Sequence, residues 1–346
     1  MPQNLPLVTI LVLNWNGERV IRPSLESITK LTYPNTEVTV IDNNSTDSSM
    51  EIVCKEFPQF QVIRNNKNLG FAAGMNEGIK KAKGDLILLY NNDAVTHPKS
   101  LSTLVKRALS DNSIGLAGGL ILYYKPNNVI WSKGCMFDLV TGTIWSEGLG
   151  QQLSQYSTDR KPIVDLDYLS GCVLLIKREV IEKIGLLDPD FFMAGEDLDF
   201  CLRAQRAGYR CVMDSSAIIW HIGSYSLRQL PLASYAERQK SDFRNILLHV
   251  PIPLLLSALF FQLMIMPLAE LLLFRYSGIS TNARLHARVL AFGQNLKVLR
   301  RNLFRRKQIR KLGWLKPKIR TLDLLRFCQT RMKSKEFFMG KLLQKS

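Results

Sequence analysis

Two clusters of acidic and polar side chains could carry chemistry. Asp93 ends the triplet Asn91-Asn92-Asp93 directly after an apolar run, and oxygen ligands at such a position could hold a hard divalent cation. Glu196, Asp197 and Asp199 fall within four positions, and carboxylates this close raise the pKa of at least one member, as is common in active sites. An ordinary turn at Asp93 and an acidic first helical turn at Glu196 are the structural alternatives.

Two further polar residues follow apolar runs. Asp42 comes after a run at residues 37–41, where its carboxylate could accept hydrogen bonds from a nucleobase or a ribose, or could begin a helix. His221 follows Ile218–Trp220 and could bind a metal, although an isolated histidine is more often structural. Neither residue identifies a reaction by itself.

The elements that position these residues alternate between strands and helices. Apolar runs predict strands over residues 7–13, 37–41, 61–63 and 85–89, and amphipathic stretches predict helices over 18–31, 45–57 and 71–83. The alternation predicts an α/β fold with a mostly parallel sheet and helices on both faces, which residues 110–225 continue. Ligands of such sheets bind beyond the carboxyl ends of the strands, where the polar clusters fall.

Taken in order, these motifs resemble family 2 glycosyltransferases, particularly the rhamnosyltransferase-like branch. The resemblance covers about residues 6–245 and implies a Rossmann-like GT-A fold with inversion at the anomeric carbon. The motifs that carry it are Asn14-Trp15-Asn16, Val40–Asp47, Asn68–Ala72, Leu89–Asp93, Ser170–Cys172, Gly185–Asp188, Phe192, Gly195–Arg203 and Trp220–Gly223.

The resemblance also implies roles for individual residues. Asp197 matches the catalytic base of a Glu-Asp pair with Glu196, and Asp93 and His221 match the ligands of a divalent cation, Mg²⁺ or Mn²⁺, that bridges the donor diphosphate. Asn91 stands where many relatives carry the first aspartate of the DXD-like element. Asp42 would contact the base, and the loop at Asn68 and Gly70 would enclose the nucleotide. The full expected nucleotide-sugar site comprises Asn14, Asn16, Asp42, Asn44, Asn68, Gly70, Asn91, Asn92 and Gly171.

The resemblance implies an enzyme that transfers a sugar from a nucleotide diphosphate donor to a glycan or lipid-linked acceptor at the cell surface. A dTDP-, UDP- or GDP-sugar would serve as donor, and rhamnose from dTDP-rhamnose is the favoured choice. A nucleotide-cofactor oxidoreductase is disfavoured because no GxGxxG follows the first strand. A catalytically silent binding protein that retains the fold is the alternative from another class.

The C-terminal third differs in composition from the rest. Residues 246–274 are overwhelmingly apolar but contain three prolines, which predicts a membrane-embedded or re-entrant helical segment after a glycosyltransferase domain at residues 1–245. Residues 275–346 form a predicted basic tail; from Lys297 onward it holds 17 lysines and arginines against Asp323 and Glu336, whereas the whole chain carries a net charge of +17.

Such a tail beside an apolar segment predicts binding to anionic lipid at the cytoplasmic face of the cell membrane, and not to nucleic acid. A buried helical subdomain with a solvated basic face is the alternative. Six scattered cysteines without CxxC spacing predict reduced thiols in the cytosol, and the N-terminus lacks the basic region of a signal peptide.

Overall fold

The computed structural model describes residues 5–155, 163–222, 231–268 and 280–313. Its strands are β1 (Val8–Asn14), β2 (Thr36–Asp42), β3 (Gln61–Arg64), β4 (Leu86–Asn91), β5 (Ala94–Thr96), β6 (Ile114–Tyr123), β7 (Ile130–Ser132), β8 (Cys135–Phe137), β9 (Ile144–Ser146), β10 (Ile163–Asp165), β11 (Val173–Lys177) and β12 (Arg210–His221). Its helices are α1 (Ile21–Thr29), α2 (Ser49–Glu56), α3 (Gly70–Lys81), α4 (Ser100–Leu109), α5 (Arg178–Ile184), α6 (Glu196–Arg206), α7 (Pro231–His249), α8 (Ile252–Phe260), α9 (Thr281–Lys297) and α10 (Leu299–Arg310).

One ten-stranded sheet organises the fold. Its main path runs β10-β12-β6-β11-β4-β1-β2-β3, with β5 paired to β12 and β7 paired to β6, while β8 and β9 form a separate hairpin. The central strands are apolar throughout, as strands buried on both faces are; Val8, Ile10 and Leu11 of β1 are completely buried. Helices α1, α2 and α4 cover one face of the sheet, and α3 and α6 cover the other. The predicted α/β architecture with helices on both faces is confirmed.

The expectation of a mostly parallel sheet is wrong for the second half. Strands β3, β2, β1 and β4 are mutually parallel, but β11 is antiparallel to both of its neighbours, β4 and β6, and β5, β7 and β10 also pair antiparallel. Parallel neighbours need a long crossover, usually a helix, between consecutive strands. The described residues between β6 and β11 contain no α-helix, and β11 runs opposite to both of its neighbours, whereas β6 and β12 pair parallel.

The C-terminal helices pack onto the domain rather than extending from it. Helix α7 runs through the predicted boundary at residue 245, and Ile246, Leu248 and Val250 are completely buried. Pro251 separates α7 from α8, which continues through a π-helical turn at Phe261–Ile265 to residue 268. Across the described ranges, no helix is both long and apolar enough to cross a membrane. The end of the apolar segment, 269–274, and the tail beyond residue 313 lie outside the described residues.

Buried ion pairs join α6 to α7. Asp199 Oδ2 accepts a hydrogen bond from Arg203 at 2.8 Å, and its Oδ1 lies 2.9 Å from Nε2 of His249 on α7. Burial opposes the charge on Asp199, but Arg203 and His249 outweigh it and hold the pKa of this carboxyl below its usual range. Arg244 on α7 likewise pairs with Asp188 at 2.9 Å. The helix that carries Glu196 and Asp197 is therefore held in a fixed position against α7.

Candidate active site

A cavity of about 740 Å³ lies beyond the carboxyl ends of the central strands. Strand ends, the start of α6 and the C-terminal helices all contribute to its lining, so residues from distant parts of the sequence face one space. Nine of the predicted site residues line it: Asn68, Gly70, Asn91, Asn92, Asp93, Gly171, Glu196, Asp197 and His221. The expectation that polar clusters gather at this edge of the sheet is confirmed.

Asp93 and His221 form a buried pair in this cavity. Nε2 of His221 lies 3.1 Å from Oδ1 of Asp93, and both side chains are almost completely inaccessible to solvent. The backbone fixes the pair, because β5 and β12 align His221 with Ala94 and the N–H of Ile222 donates to the carbonyl of Asp93 at 2.8 Å. The edge of Trp131 packs against the imidazole with ring centroids 4.7 Å apart.

The donor set of this pair fits a divalent cation. Mg²⁺ binds its ligands at 2.0–2.1 Å in octahedral geometry, so neighbouring ligand atoms lie about 3 Å apart, close to the spacing of the two atoms here. Asn91 lines the same cavity, and its Oδ1 is buried without a hydrogen-bond partner among the described residues. Among the described residues no group of three or more His, Cys, Asp or Glu side chains could hold a metal. An ion at this pair would therefore take its remaining oxygens from a ligand such as a diphosphate or from water.

Glu196 and Asp197 begin α6 and face the same cavity. Gly195 precedes them with a φ of +88°, and Cβ at that position would lie 2.8 Å from the amide nitrogen of Asn245. Asp197 accepts hydrogen bonds from the backbone N–H groups of Gly171 at 3.1 Å and Leu198 at 2.8 Å. These bonds hold its carboxylate at the cavity wall.

Burial dominates the ionisation of this acidic pair. It raises the pKa of Asp197, although the backbone N–H groups of Gly171 and Leu198 oppose the shift. The pKa of Glu196 is raised further, by burial and by the charge of Asp197, and its Oε2 has no hydrogen-bond partner. The sequence predicted a raised pKa from the repulsion of neighbouring carboxylates, whereas burial is the larger cause here. Asp199 takes no part, because it faces the interior and its ion pair with Arg203.

Asn43 organises the loop that closes one side of the cavity. Its amide nitrogen donates to Oδ1 of Asn68 and to the carbonyl of Gly70, both at 3.0 Å. Its Oδ1 accepts from the side chain of Asn65 at 3.0 Å and from the backbone of Leu69 at 3.2 Å. A single side chain after β2 therefore fixes residues 65–70. Sequence reasoning missed this role, and the paired asparagines after a strand were the only signal.

Gly70 allows this loop to touch the segment before α6. Its φ is +78°, and a Cβ there would lie 2.4 Å from the carbonyl oxygen of Phe192. The N–H of the next residue, Phe71, donates to that same carbonyl at 2.7 Å. Only glycine fits a left-handed position with so close an approach. The loop and the segment leading to Glu196 thus form one continuous wall.

A comparison with known protein families agrees with this geometry. Residues 9–185, more than half of the chain, match the model of a family described as glycosyl transferase family 2. The chain belongs to glycosyltransferase family 2. It is a transferase of the kind that uses nucleotide-sugar donors.

Individual glycosyltransferases resemble the chain over most of its length. Glycosyltransferase AglE of Haloferax volcanii is 23% identical over 249 residues, which are 70% of this chain and 73% of that protein. The N-acetylglucosaminyl-diphospho-decaprenol L-rhamnosyltransferase of Mycobacterium tuberculosis is 25% identical over 243 residues, 63% of this chain and 77% of that protein.

Solved structures share the fold. The mannosyltransferase PcManGT from Pyrobaculum calidifontis, solved in complex with GDP-Man and Mn²⁺, matches with a TM-score of 0.53 and 18% identity. The match covers 90% of this chain and 86% of that one. It shows that the chain has a GT-A-like fold, as the motif order predicts.

Four predicted nucleotide-sugar residues lie outside the cavity lining of this glycosyltransferase. Asn14 is completely buried, donates to Ser49 Oγ at 2.8 Å and accepts from Asn92 at 2.8 Å. Oδ1 of Asn16 accepts a hydrogen bond from the backbone N–H of Thr46 at 2.8 Å, and Oδ1 of Asp42 accepts one from the N–H of Ser45 at 2.9 Å. Asn44 has a φ of +65°. These residues shape the loops after β1 and β2, and their contact with a nucleotide stays a prediction.

The C-terminal helices contribute cavity residues that the sequence did not identify. Arg284 and Arg288 belong to the predicted basic tail, yet both are buried and line the cavity together with Arg238 and Asp242. A spacing of four places Arg284 and Arg288 on one face of α9, which was the available signal. Composition alone could not show that this face turns inward.

Proposed function

We propose that this family 2 glycosyltransferase transfers a sugar, with inversion, from a nucleotide diphosphate donor to a hydroxyl group of a glycan or lipid-linked acceptor. The observation that carries the proposal is that one cavity holds two different acidic sites, the Asp93–His221 pair and the Glu196–Asp197 pair. One site suits a cation that binds the diphosphate, and the other suits the removal of a proton.

Asp197 acts as the catalytic base. Its carboxylate takes the proton of the acceptor hydroxyl while the acceptor oxygen bonds to the anomeric carbon and the bond to the diphosphate breaks. Such general-base assistance is worth about 10²–10⁴-fold in rate. Burial raises the pKa of both Glu196 and Asp197, and the charge of Asp197 adds to the increase at Glu196.

Asp93 and His221 would hold Mg²⁺ or Mn²⁺. When bound, the cation would supply positive charge that stabilises the leaving diphosphate. The buried Oδ1 of Asn91 faces the same region and would bind the donor or its cation. The loop around Asn68 and Gly70, held by Asn43, would cover the nucleotide.

The favoured donor is dTDP-rhamnose, with UDP- and GDP-sugars as the other candidates. The motif order of the rhamnosyltransferase-like branch supports this choice, as does the similarity to the mycobacterial L-rhamnosyltransferase. That relative's name describes an acceptor with a diphosphate-linked decaprenol chain. By analogy, the acceptor of this enzyme would be a cell-surface glycan or a lipid-linked oligosaccharide.

The surface of α8 and its continuation supports placement at the cytoplasmic face of the cell membrane. Every fourth residue, Ile252, Leu256, Phe260, Met264 and Leu268, is an exposed large apolar side chain, and Leu256 is 81% exposed. Residues spaced by four lie along one side of a helix, so these five form a single apolar stripe. A helix of this kind can lie in the interface of a membrane with anionic lipids.

The test is hydrolysis of a panel of dTDP-, UDP- and GDP-sugars by the full chain, with and without Mn²⁺ or Mg²⁺, measured as release of nucleoside diphosphate. Metal-dependent release from one donor establishes the substrate. A catalytically silent binding protein would release none, even with membrane extract as a source of acceptors.

A further inference from the structure

One side of α7 borders the cavity that holds the acidic pair of α6. Tyr235, Arg238, Gln239 and Asp242 all line this cavity, and residues with their spacing lie on one side of a helix. Two of them, Gln239 and Asp242, are one turn apart and have no part in the transfer chemistry described above. They place an amide and a carboxylate in the cavity whose purpose that chemistry does not explain.

Hydrogen bonds to the backbone fix α7 next to the start of α6. Oγ of Ser241 donates to the carbonyl of Met193 at 3.3 Å, and the side-chain amide of Asn245 donates to the carbonyl of Gly195 at 3.0 Å. Both carbonyls belong to the short segment that leads directly into Glu196. The contact is close, because a Cβ on Gly195 would lie 3.0 Å from the Cβ of Ser241. The cavity side of α7 is therefore held beside the acidic pair.

Gln239 and Asp242 are shielded from bulk solvent but line the cavity. Gln239 is only 6% exposed. Burial raises the pKa of Asp242 to about 6, although the positive charges of Arg238 and Arg288 oppose this shift. Among the described residues, neither side chain hydrogen-bonds to another group of the protein. Because a shielded polar group without a hydrogen bond costs free energy, both side chains would gain from a polar ligand.

The two side chains together suit neighbouring hydroxyl groups of a sugar. A carboxylate accepts hydrogen bonds through either oxygen, and a primary amide both donates and accepts. A hydroxyl group also does both, so two hydroxyls of one sugar ring can bind this pair. Ile144 and Trp145 of β9 line the same cavity and offer apolar surface to the C–H groups of the ring. Apolar walls with a few polar groups are typical of sites for small ligands.

The position of this pair favours the acceptor sugar over the donor sugar. In the proposed reaction the acceptor hydroxyl contacts Asp197, because that carboxylate takes its proton. Asp242 is within electrostatic reach of the same carboxylate, whose charge contributes to its raised pKa. The donor diphosphate instead belongs with the Asp93–His221 pair, which β5 and β12 align. A sugar on Gln239 and Asp242 therefore lies on the side of the cavity where the base is.

We propose that Gln239 and Asp242 bind hydroxyl groups of the acceptor sugar, next to the hydroxyl that Asp197 deprotonates, an inference that rests on the proposed transfer reaction. Their hydrogen bonds hold the acceptor ring in one orientation and so determine which of its hydroxyls reaches the base. A site that hydrogen-bonds a hydroxyl discriminates strongly against a sugar that lacks it. The ligand of this site is thus a neutral sugar unit, recognised by α7.

Saturation-transfer NMR of the full chain with a panel of methyl glycosides tests this site. At least one glycoside should bind, and Gln239→Ala and Asp242→Asn should each weaken its binding about threefold to tenfold, as expected for one lost hydrogen bond. Glu237→Gln is the matched control on the same helix, because Glu237 pairs with Lys240 and lies outside the cavity lining. Absence of binding by every glycoside, or equal affinity of all the variants, would overturn the proposal.

Deoxy analogues of the glycoside that binds best separate direct contact from a structural effect. In the wild type, removal of a contacted hydroxyl should weaken binding. In Asp242→Asn or Gln239→Ala the same removal should cost less, because the partner of that hydroxyl has already changed. Gln239→Glu, which keeps the shape of the side chain, serves the same comparison if Gln239→Ala does not fold. A uniform loss of affinity for the parent glycoside and every analogue would refute direct contact.

Titration with dTDP, UDP and GDP in the presence of Mn²⁺ separates the acceptor from the donor. Gln239→Ala and Asp242→Asn should bind the nucleoside diphosphate as tightly as the wild type does, and a parallel loss would assign both residues to the donor and refute the proposal. If the wild type hydrolyses no donor yet binds a methyl glycoside through these two residues, the transfer reaction fails while the sugar site stands.

Discussion

The two walls of the cavity differ in charge, in origin and in what they are suited to do. One wall of the cavity, the sheet wall, is acidic and is built at strand ends and at the start of α6 by Asp93, Glu196 and Asp197. The other, the helix wall, comes from α7 and α9, helices packed onto the domain, and contains Arg238, Arg284 and Arg288. A carboxylate can remove a proton, and a guanidinium cannot. The comparison teaches that residues of opposite charge from separate structural units can line one cavity.

The largest effect should follow from Asp197→Asn, which removes the base from the sheet wall. Transfer should fall about 10²–10⁴-fold, because the amide cannot accept the acceptor proton. Donor binding should persist, since the substitution keeps the shape of the side chain. Steady-state transfer rates and donor affinity are measured for Asp197→Asn, with Arg300→Gln at an exposed position of α10 as the control. Unchanged transfer would favour the catalytically silent binding protein.

The stability of α6, which carries Glu196 and Asp197, depends on a buried ion pair between Arg203 and Asp199 within that helix. Arg203→Gln leaves Asp199 buried without its main partner, and breaking such a pair costs about 3–5 kcal/mol. The free energy of unfolding, from urea denaturation, should fall by that amount. The exposed pair of Arg22 and Glu56 offers a matched control, because Arg22→Gln should change stability far less. Equal effects of the two variants would show that the buried pair does not stabilise the protein more than the exposed pair does.

Asp242 should make stability depend on pH at the helix wall. Its pKa is about 6 in the folded protein and near the ordinary 3.8 when unfolded, so the stability it contributes is fully present below pH 4 and lost as the pH rises through 6. The side chain of Asp242→Asn does not ionise, so this variant should not lose stability over the same pH range.

The unfolding free energy of Asp242→Asn relative to the wild type should therefore increase between pH 4 and pH 7, by up to about 3 kcal/mol. Chemical denaturation at several pH values measures the difference, and Glu237→Gln on the same helix is the control. Parallel curves for Asp242→Asn and the wild type would contradict the raised pKa.

The smallest effect concerns the outer side of the helix wall. Leu256→Asp places a charge in the middle of the apolar stripe and removes a side chain whose burial in a membrane is worth about 1.5–3 kcal/mol. Binding to vesicles with anionic lipid should weaken, while donor hydrolysis in solution should not change. Leu109→Asp, at an exposed leucine of α4, is the matched control. Equal loss of vesicle binding in both variants would remove the stripe from the proposed membrane surface.

The sequence predicted the sheet wall better than the helix wall, for physical reasons. Alternating strands and helices locate strand ends, so Asp93 could be placed at the carboxyl edge of the sheet before any contact was known, and the family resemblance added the Glu196–Asp197 pair. The antiparallel direction of β11 was not predicted, because a pattern of apolar runs does not reveal whether a strand runs parallel or antiparallel to its neighbours.

The burial of Arg284 and Arg288 could not be predicted from the composition of the C-terminal region. Arg284 and Arg288 lie in a region where basic residues are frequent, and only tertiary packing distinguishes a buried arginine from a solvated one. Asn43 was missed for the opposite reason, because asparagine after a strand is ordinary turn chemistry. In both cases the function comes from long-range contacts.

The most direct test of the proposed transfer is a kinetic comparison of Asp197→Asn with Asp93→Asn, using the donor identified by hydrolysis and a lipid-linked acceptor. The account predicts that Asp197→Asn lowers kcat with little change in either KM, whereas Asp93→Asn raises the concentration of Mn²⁺ or Mg²⁺ needed for half-maximal transfer. The same kinetic change in both variants, or an unchanged kcat for Asp197→Asn, would contradict it.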